Sequence, residues 1–206
     1  MVDGGAGEMR IIAGEAKGRR LKTRKGLNTR PTADRVKESL FNMIATKLPG
    51  ARFLDLFAGN GGVGMEALSR GALFCLFIEK NAQCVKIIKD NLQLCGLMQR
   101  GEVRQGELPA VLNGVRPQFD VIFLDPPYHS PALKPTVEKI WQLRLLAPEG
   151  LLIAEHHRRD SGWFTGTDWQ VLREKAYGDT VLTFLVPAVA GKRECDDDNS
   201  NLPGKF

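Results

Sequence analysis

Two short stretches constrain this chain most. Leu73-Phe74-Cys75-Leu76-Phe77-Ile78-Glu79 and Phe119-Asp120-Val121-Ile122-Phe123-Leu124 are apolar at nearly every position. A strand that lacks apolar-polar alternation is buried on both faces, and a parallel sheet covered by helices is the architecture that buries it. The segments around them fit that reading. Phe53 to Phe57 and Leu151 to Glu155 are further strand patterns, and Glu102 to Gln105 is a shorter one. Helical spacing is read over Val63–Arg70, Asn81–Leu94, Leu108–Leu112 and Leu133–Leu143. An earlier helix follows Arg30-Pro31-Thr32, with Thr32 as its cap and Val36, Leu40, Met43, Ile44 and Leu48 on its buried face. Strand-helix alternation implies a doubly wound α/β sheet. At the end, Gln170–Tyr177 and Thr180–Val186 flank Gly178-Asp179 as a hairpin, which adds one antiparallel strand.

Charge is distributed unevenly. The 206 residues carry +5, but Arg10 to Lys37 alone holds ten basic residues against two acids, a net +8. A one-signed run of this kind points to phosphate contact, and the residues expected to make it are Arg10, Lys17, Arg19, Arg20, Lys22, Arg30 and Arg35. The four cysteines form no Cys-x-x-Cys pair, and no histidine stands at ligand spacing from them. Reduced thiols in a cytoplasmic protein without a metal are therefore expected. No apolar run reaches the roughly 18 residues of a membrane helix. The expected organisation is a disordered leader over 1–8 (with Met9 as a second candidate start), a basic segment and first helix over 9–48, one α/β domain over 49–187, and a polar, disordered tail over 188–206. A monomer is expected.

Asp55-Leu56-Phe57-Ala58-Gly59-Asn60-Gly61-Gly62-Val63-Gly64 joins a strand to a helix and holds three glycines at G-x-G-x-x-G spacing. Such glycines allow a tight turn and close approach of a ligand to the backbone. Glu79 ends the next strand, where a carboxylate can accept both hydroxyls of a ribose. Asp55 would repel a pyrophosphate but attract a cationic amino-acid group. Asp55, Phe57, Gly59, Gly61 and Glu79 are thus candidate cofactor residues, and Thr32 and Asn42 stand where the first helix can present them to the same cleft.

Asp125-Pro126-Pro127-Tyr128 follows an apolar strand at its carboxyl end, the place where open α/β sheets bind ligands. An exocyclic amine on a nucleobase is a poor nucleophile because its lone pair is delocalised into the ring. The Asp125 carboxylate and the Pro126 carbonyl can accept its two N–H groups and free that lone pair. Pro126 and Pro127 fix the backbone that carries the carbonyl. Tyr128 offers a face for a base swung out of its stack. The three histidines, His129, His156 and His157, read as surface residues, and Trp141, Trp163 and Trp169 as packing residues.

The Gly-rich turn preceded by Asp-x-Phe resembles the first motif of Rossmann-like methyltransferases, whose sheet has seven strands, mostly parallel with one antiparallel. Arg10-Ile11-Ile12-Ala13-Gly14, Lys17-Gly18-Arg19-Arg20-Leu21, Arg30-Pro31-Thr32 and Asp34 to Asn42 resemble the N-terminal signature of the bacterial RsmD family, and the resemblance runs over about residues 9–187. It implies an S-adenosylmethionine-dependent enzyme that methylates guanine N2 of 16S rRNA during small-subunit assembly. It places Gly59, Gly61 and Glu79 at the cofactor, and Asp125, Pro126 and Tyr128 at the base. Gly106-Glu107 departs from the Asp/Asn-Ala pair with which many relatives hold the adenine. A DNA adenine-N6 methyltransferase shares the tetrapeptide but usually carries a target-recognition domain for which this length leaves no room. A non-catalytic RNA-binding assembly factor on the same fold is the third alternative.

Overall fold

The computed structural model describes residues 9–24, 31–116, 118–127, 129–160, 162–165 and 167–188. Seven strands form one sheet: β1 (Arg52–Leu56), β2 (Phe74–Glu79), β3 (Gly101–Gln105), β4 (Phe119–Leu124), β5 (Leu146–His157), β6 (Trp169–Tyr177) and β7 (Thr180–Pro187). Their order is β3-β2-β1-β4-β5-β7-β6. All neighbours up to β5 run parallel, while β7 is antiparallel to both β5 and β6. The sheet is thus the expected Rossmann-like one, with a single reversed strand.

Among the described residues, four α-helices accompany the sheet: α1 (Pro31–Met43), α2 (Gly62–Ser69), α3 (Ala82–Cys95) and α4 (Leu133–Gln142). One core holds Phe53, Phe77, Val121, Phe123 and Ile153 of the strands together with residues of α1, α2 and α3. The other holds Leu54, Leu76, Ile122, Leu124 and Leu152 with Val137 and Ile140 of α4. Successive strand residues therefore feed opposite cores, which is why the central strands are apolar at nearly every position. Caps set the ends of α3. The Asn81 side chain accepts from the Gln83 and Cys84 amides at 2.9 and 3.2 Å, and Gly96 closes the helix in the left-handed region at φ 73°.

Several local expectations change. Helix α1 begins at Pro31, a favoured first position. Thr32 therefore lies inside its first turn and is not the cap. The 108–112 helix is a 3-10 turn over Ala110–Gly114. Strand β5 starts five residues early, through Pro148 and Gly150, because an irregularity between Phe119 and Val121 absorbs the extra chain. The expected leader at 1–8 and the expected tail at 188–206, save Ala188, lie outside the described residues, as do Arg30 and Tyr128.

The basic segment is built into the fold. Ile11, Ala16 and Leu21 are buried in the first core. Arg10 and Arg20 form a lone antiparallel bridge. The backbone is held by buried polar side chains of α2 and α3. Glu66 accepts the Ile12 and Ala13 amides at 2.8 and 2.9 Å. Ser69 accepts the Ala16 amide at 3.0 Å and donates to the Ala13 carbonyl. Asn91 both accepts from and donates to the Lys22 backbone, at 2.8 and 3.0 Å. Arg100 pairs with Glu15.

Candidate active site

The loop after β1 turns on three positive-φ residues: Phe57 at 60°, Gly59 at 54° and Gly61 at 79°. Each glycine of the motif has its own reason. A Cβ on Gly64 would lie 2.2 Å from the Phe77 ring and 2.7 Å from Cys75 Sγ, so glycine here lets α2 close onto the sheet. A Cβ on Gly61 would press on Ile88 at 3.1 Å. At Gly59 the nearest atom would be the Phe57 carbonyl oxygen at 4.0 Å, so this turn opens onto free space that a ligand can enter. Phe57 is half-buried and packs against the α4-side core.

Two carboxylates hold the loop. Buried Asp55 accepts the Gly64 amide at 2.9 Å, in the first turn of α2. Glu79 accepts the Gly59 amide on one oxygen and the Asn81 amide on the other, at 2.9 and 2.8 Å. Each Glu79 oxygen keeps a second lone pair for a hydroxyl.

A wider pattern appears when the strands are placed side by side. Asp55, Glu79, Asp125 and Glu155 each stand two residues after a first-core apolar residue: Phe53, Phe77, Phe123 and Ile153. Period-two alternation puts all four acids on one face. Because β2, β1, β4 and β5 are adjacent, they line the carboxyl edge in a row. Their charges couple along it. Burial pushes the Asp55 carboxyl up to about 7, against the Gly64 amide that favours its charged form, with Asp125 and Glu79 adding to the rise. The Asp125 side chain is exposed just after β4, yet the protein around its carboxyl removes enough water to push it up to about 7. Burial and then the Asp125 charge push Glu155 up to about 8. Sequence reasoning missed Glu155, although apolar-x-acid recurs at the ends of all four strands.

Beyond Asp125, Pro126 is buried and Pro127 exposed, and the Ser130 amide donates to the Pro127 carbonyl at 3.0 Å. A cleft of about 340 Å³ opens beside this turn, lined by both prolines, His129, Lys134, His156 and Trp163 among others. His129 is exposed, as expected, and its Nδ1 lies 2.7 Å from Asp160 Oδ1. His156 is buried, contrary to the surface position expected for it. Its Nε2 lies 2.8 Å from Thr183 Oγ1, whose hydroxyl donates to Glu174 at 2.8 Å. Those partners sit on β7 and β6, about 20 to 30 residues away in sequence. Trp163 is a cleft wall as well as a packing residue, edge-on to His156 with centroids 6.0 Å apart.

A second, shallower cleft lies between the ends of β2 and β3, bordered by Lys80, Asn81, Gln105, Gly106 and Glu107. Glu107 is exposed and pairs with Lys80 at 3.9 Å. Asn42 is exposed on α1, and the Thr32 side chain lies outside the described residues. Arg10, Lys17, Arg19, Arg20, Lys22 and Arg35 are all exposed, and Lys22 pairs with Asp90 at 3.1 Å. Among the described residues no group of three His, Cys, Asp or Glu could hold a metal, and no helix is long and apolar enough to cross a membrane.

A Gly-rich loop and an Asp-Pro-Pro turn on the acidic edge of a 3-2-1-4-5-7-6 sheet define a Rossmann-like methyltransferase. The solved Escherichia coli structure described as methyltransferase yhhF has the same fold, with a TM-score of 0.77 and 32% identity over 87% of this chain and 97% of that one. The family model described as Conserved hypothetical protein 95 matches residues 9–186. The chain belongs to that family, the RsmD family. It is 41% identical over 175 residues to YlbH of Bacillus subtilis (strain 168), covering 84% of this chain and 95% of that protein. It is 37% identical to the ribosomal RNA small subunit methyltransferase D of Haemophilus influenzae, covering 84% of this chain and 90% of the relative.

Proposed function

We propose that this protein transfers a methyl group from S-adenosylmethionine to the N2 amine of a guanine in 16S rRNA. The observation that carries the chemistry is the row of four carboxylates in which Asp125 stands between Asp55 and Glu155. A pyrophosphate cofactor would meet repulsion along that edge, whereas a cofactor with a sulfonium and an ammonium group meets the charge it needs. The cofactor supplies an electrophilic methyl group when bound. Gly59 leaves room for it, Glu79 accepts its ribose hydroxyls, Asp55 keeps the loop against α2, and backbone groups around Gly106 border its adenine.

The chain's remaining work is orientation. The Asp125 carboxylate accepts one N–H of the amine and the Pro126 carbonyl accepts the other, which turns the nitrogen lone pair towards the methyl group. Tyr128 stacks on the flipped base. On taking the methyl group the amine must lose a proton. Asp125, with its raised affinity for protons, takes it. No metal takes part in this scheme.

The RNA assignment is supported by the names of the relatives and by the basic face that Met9–Lys22 carries on α2 and α3. The protein then acts in the cytoplasm, as a monomer, on an assembling small subunit. Tritiated-methyl transfer onto unmodified small subunits, compared with duplex DNA, tests this. Incorporation only into DNA would overturn it.

Two further outcomes are expected. Changing Lys17 and Arg19 to Ala should weaken RNA binding and lower the slope of log affinity against log salt by roughly 1 for each phosphate left without its cation. An unchanged slope in a filter-binding titration would remove these residues from the interface. The pH dependence has a defined sign as well. Transfer needs Asp125 ionised, and its carboxyl is held at about 7 in the free enzyme. The acceptor's kcat/KM should therefore rise with pH through about 7 before levelling, with apparent values that belong to the Asp125–Glu155 pair. A profile already flat at pH 5 would exclude this role.

A further inference from the structure

Glu155 is the one carboxylate of the row with no task in this scheme, and its surroundings are unusual. Leu124 and Ala154 face each other across the parallel β4–β5 pair. The next step along both chains brings Asp125 beside Glu155 on the same face, with the strands about 4.8 Å apart. Across β5 the other neighbour is Leu182 of β7, which is fully buried. Among the described residues, no cation and no side-chain hydrogen bond meets the Glu155 carboxylate. A half-buried carboxylate beside another, without donors, is unfavourable until something supplies them. Burial and the Asp125 charge push its carboxyl up to about 8, so a bound donor is needed to hold it ionised.

A guanine supplies the missing donor. Its N1–H lies next to the N2 amine on the same edge. If Asp125 and Pro126 hold N2, the adjacent position along the sheet edge falls to Glu155. Resting on the guanine-N2 reading above, we propose that Glu155 accepts the N1–H of the target guanine and thereby selects guanine over adenine. Adenine presents a bare N1 lone pair beside its amine, which a carboxylate repels. The Asp-Pro-Pro turn alone cannot make that distinction, since both bases offer it an exocyclic amine.

The test uses small subunits reconstituted with guanine or 2-aminopurine at the methylated position. 2-Aminopurine keeps the N2 amine but has a bare N1. The wild-type protein should favour guanine by at least about tenfold in kcat/KM, as expected for one hydrogen bond to a charged group. Glu155→Gln can donate its amide N–H to the bare N1, so its preference should fall to within about threefold, with calorimetric S-adenosylmethionine binding unchanged. A purely structural role would alter both substrates alike and leave the ratio intact. An unchanged ratio in Glu155→Gln would overturn the assignment, as would a wild-type protein that is indifferent to the two bases or that favours 2-aminopurine, the preference a protonated Glu155 would give by donating its O–H to the bare N1. Wild-type protein that methylates neither base at N2 would instead overturn the guanine-N2 reading on which the assignment rests.

Discussion

Replacing Asp125 with alanine should lower the methyl-transfer rate by roughly 10²–10³-fold, the usual consequence of removing one preorganised polar group from a transition state. S-Adenosylmethionine affinity, measured by calorimetry, should stay within about threefold. The separation follows from position. Asp125 stands after β4, whereas the loop that admits the cofactor is held by Asp55 and Glu79, which bond the Gly64, Gly59 and Asn81 amides. Alanine leaves those bonds in place. The pull on a cationic cofactor weakens only slightly, because Glu79 remains at the loop opening. Asp125→Asn separates the two duties of the residue: its Oδ1 still accepts an N–H, but it cannot take up the proton, so a loss intermediate between wild type and alanine is expected. A well-folded Asp125→Ala protein that no longer binds the cofactor would show that the residue belongs to the cofactor site.

The same row shows how far the sequence could be read. Strand β4 is found over the residues its apolar pattern marks, Phe119–Leu124, because a strand buried on both faces has a pattern independent of its partners. The Gly-rich turn and the Gly178-Asp179 hairpin were legible for a similar reason, since their backbone demands are local. Phe57 packs against the α4-side core with a positive φ, a torsion that leaves no mark in the sequence. Thr32 read as a cap because it precedes a periodic run, yet Pro31 already starts the helix. His156 and Glu155 were missed because their significance lies across the sheet. One depends on Thr183 and Glu174 of the terminal hairpin, the other on Asp125 thirty residues earlier. Non-local pairing of this kind is recoverable only when strand order and register are known. The apolar-x-acid repeat at four strand ends was present throughout, but it acquires meaning only once β2, β1, β4 and β5 are neighbours.

Glu66→Ala should have the largest effect on stability, and it should reach the RNA face. Glu66 is fully buried and is the one charged residue of α2, an anomaly visible in Gly62–Ser69 itself. Its carboxylate accepts the Ile12 and Ala13 amides and the Arg70 Nε–H at 2.7 Å, while the Arg70 guanidinium lies over the Phe41 ring at 5.0 Å. Alanine would orphan three donors at once, one of them on a cation with little access to water. Breaking a buried ion pair from one side costs about 3 kcal/mol or more, and for a chain of this size that corresponds to a drop in Tm of roughly 6–12 °C. The loss is not spread evenly. Two of the orphaned amides belong to the basic segment, so the segment should loosen before the sheet does, and native-state hydrogen exchange should show the Ile12 and Ala13 amides losing protection first. RNA affinity should then fall although no basic residue has been removed, because Arg10, Lys17 and Arg19 no longer stand on a fixed surface. Glu66→Gln keeps one acceptor and should lie between. If Tm fell as expected but RNA affinity and its salt dependence stayed at the wild-type values, the tether would serve the fold alone, and the phosphate contacts would have to be sought elsewhere on the chain.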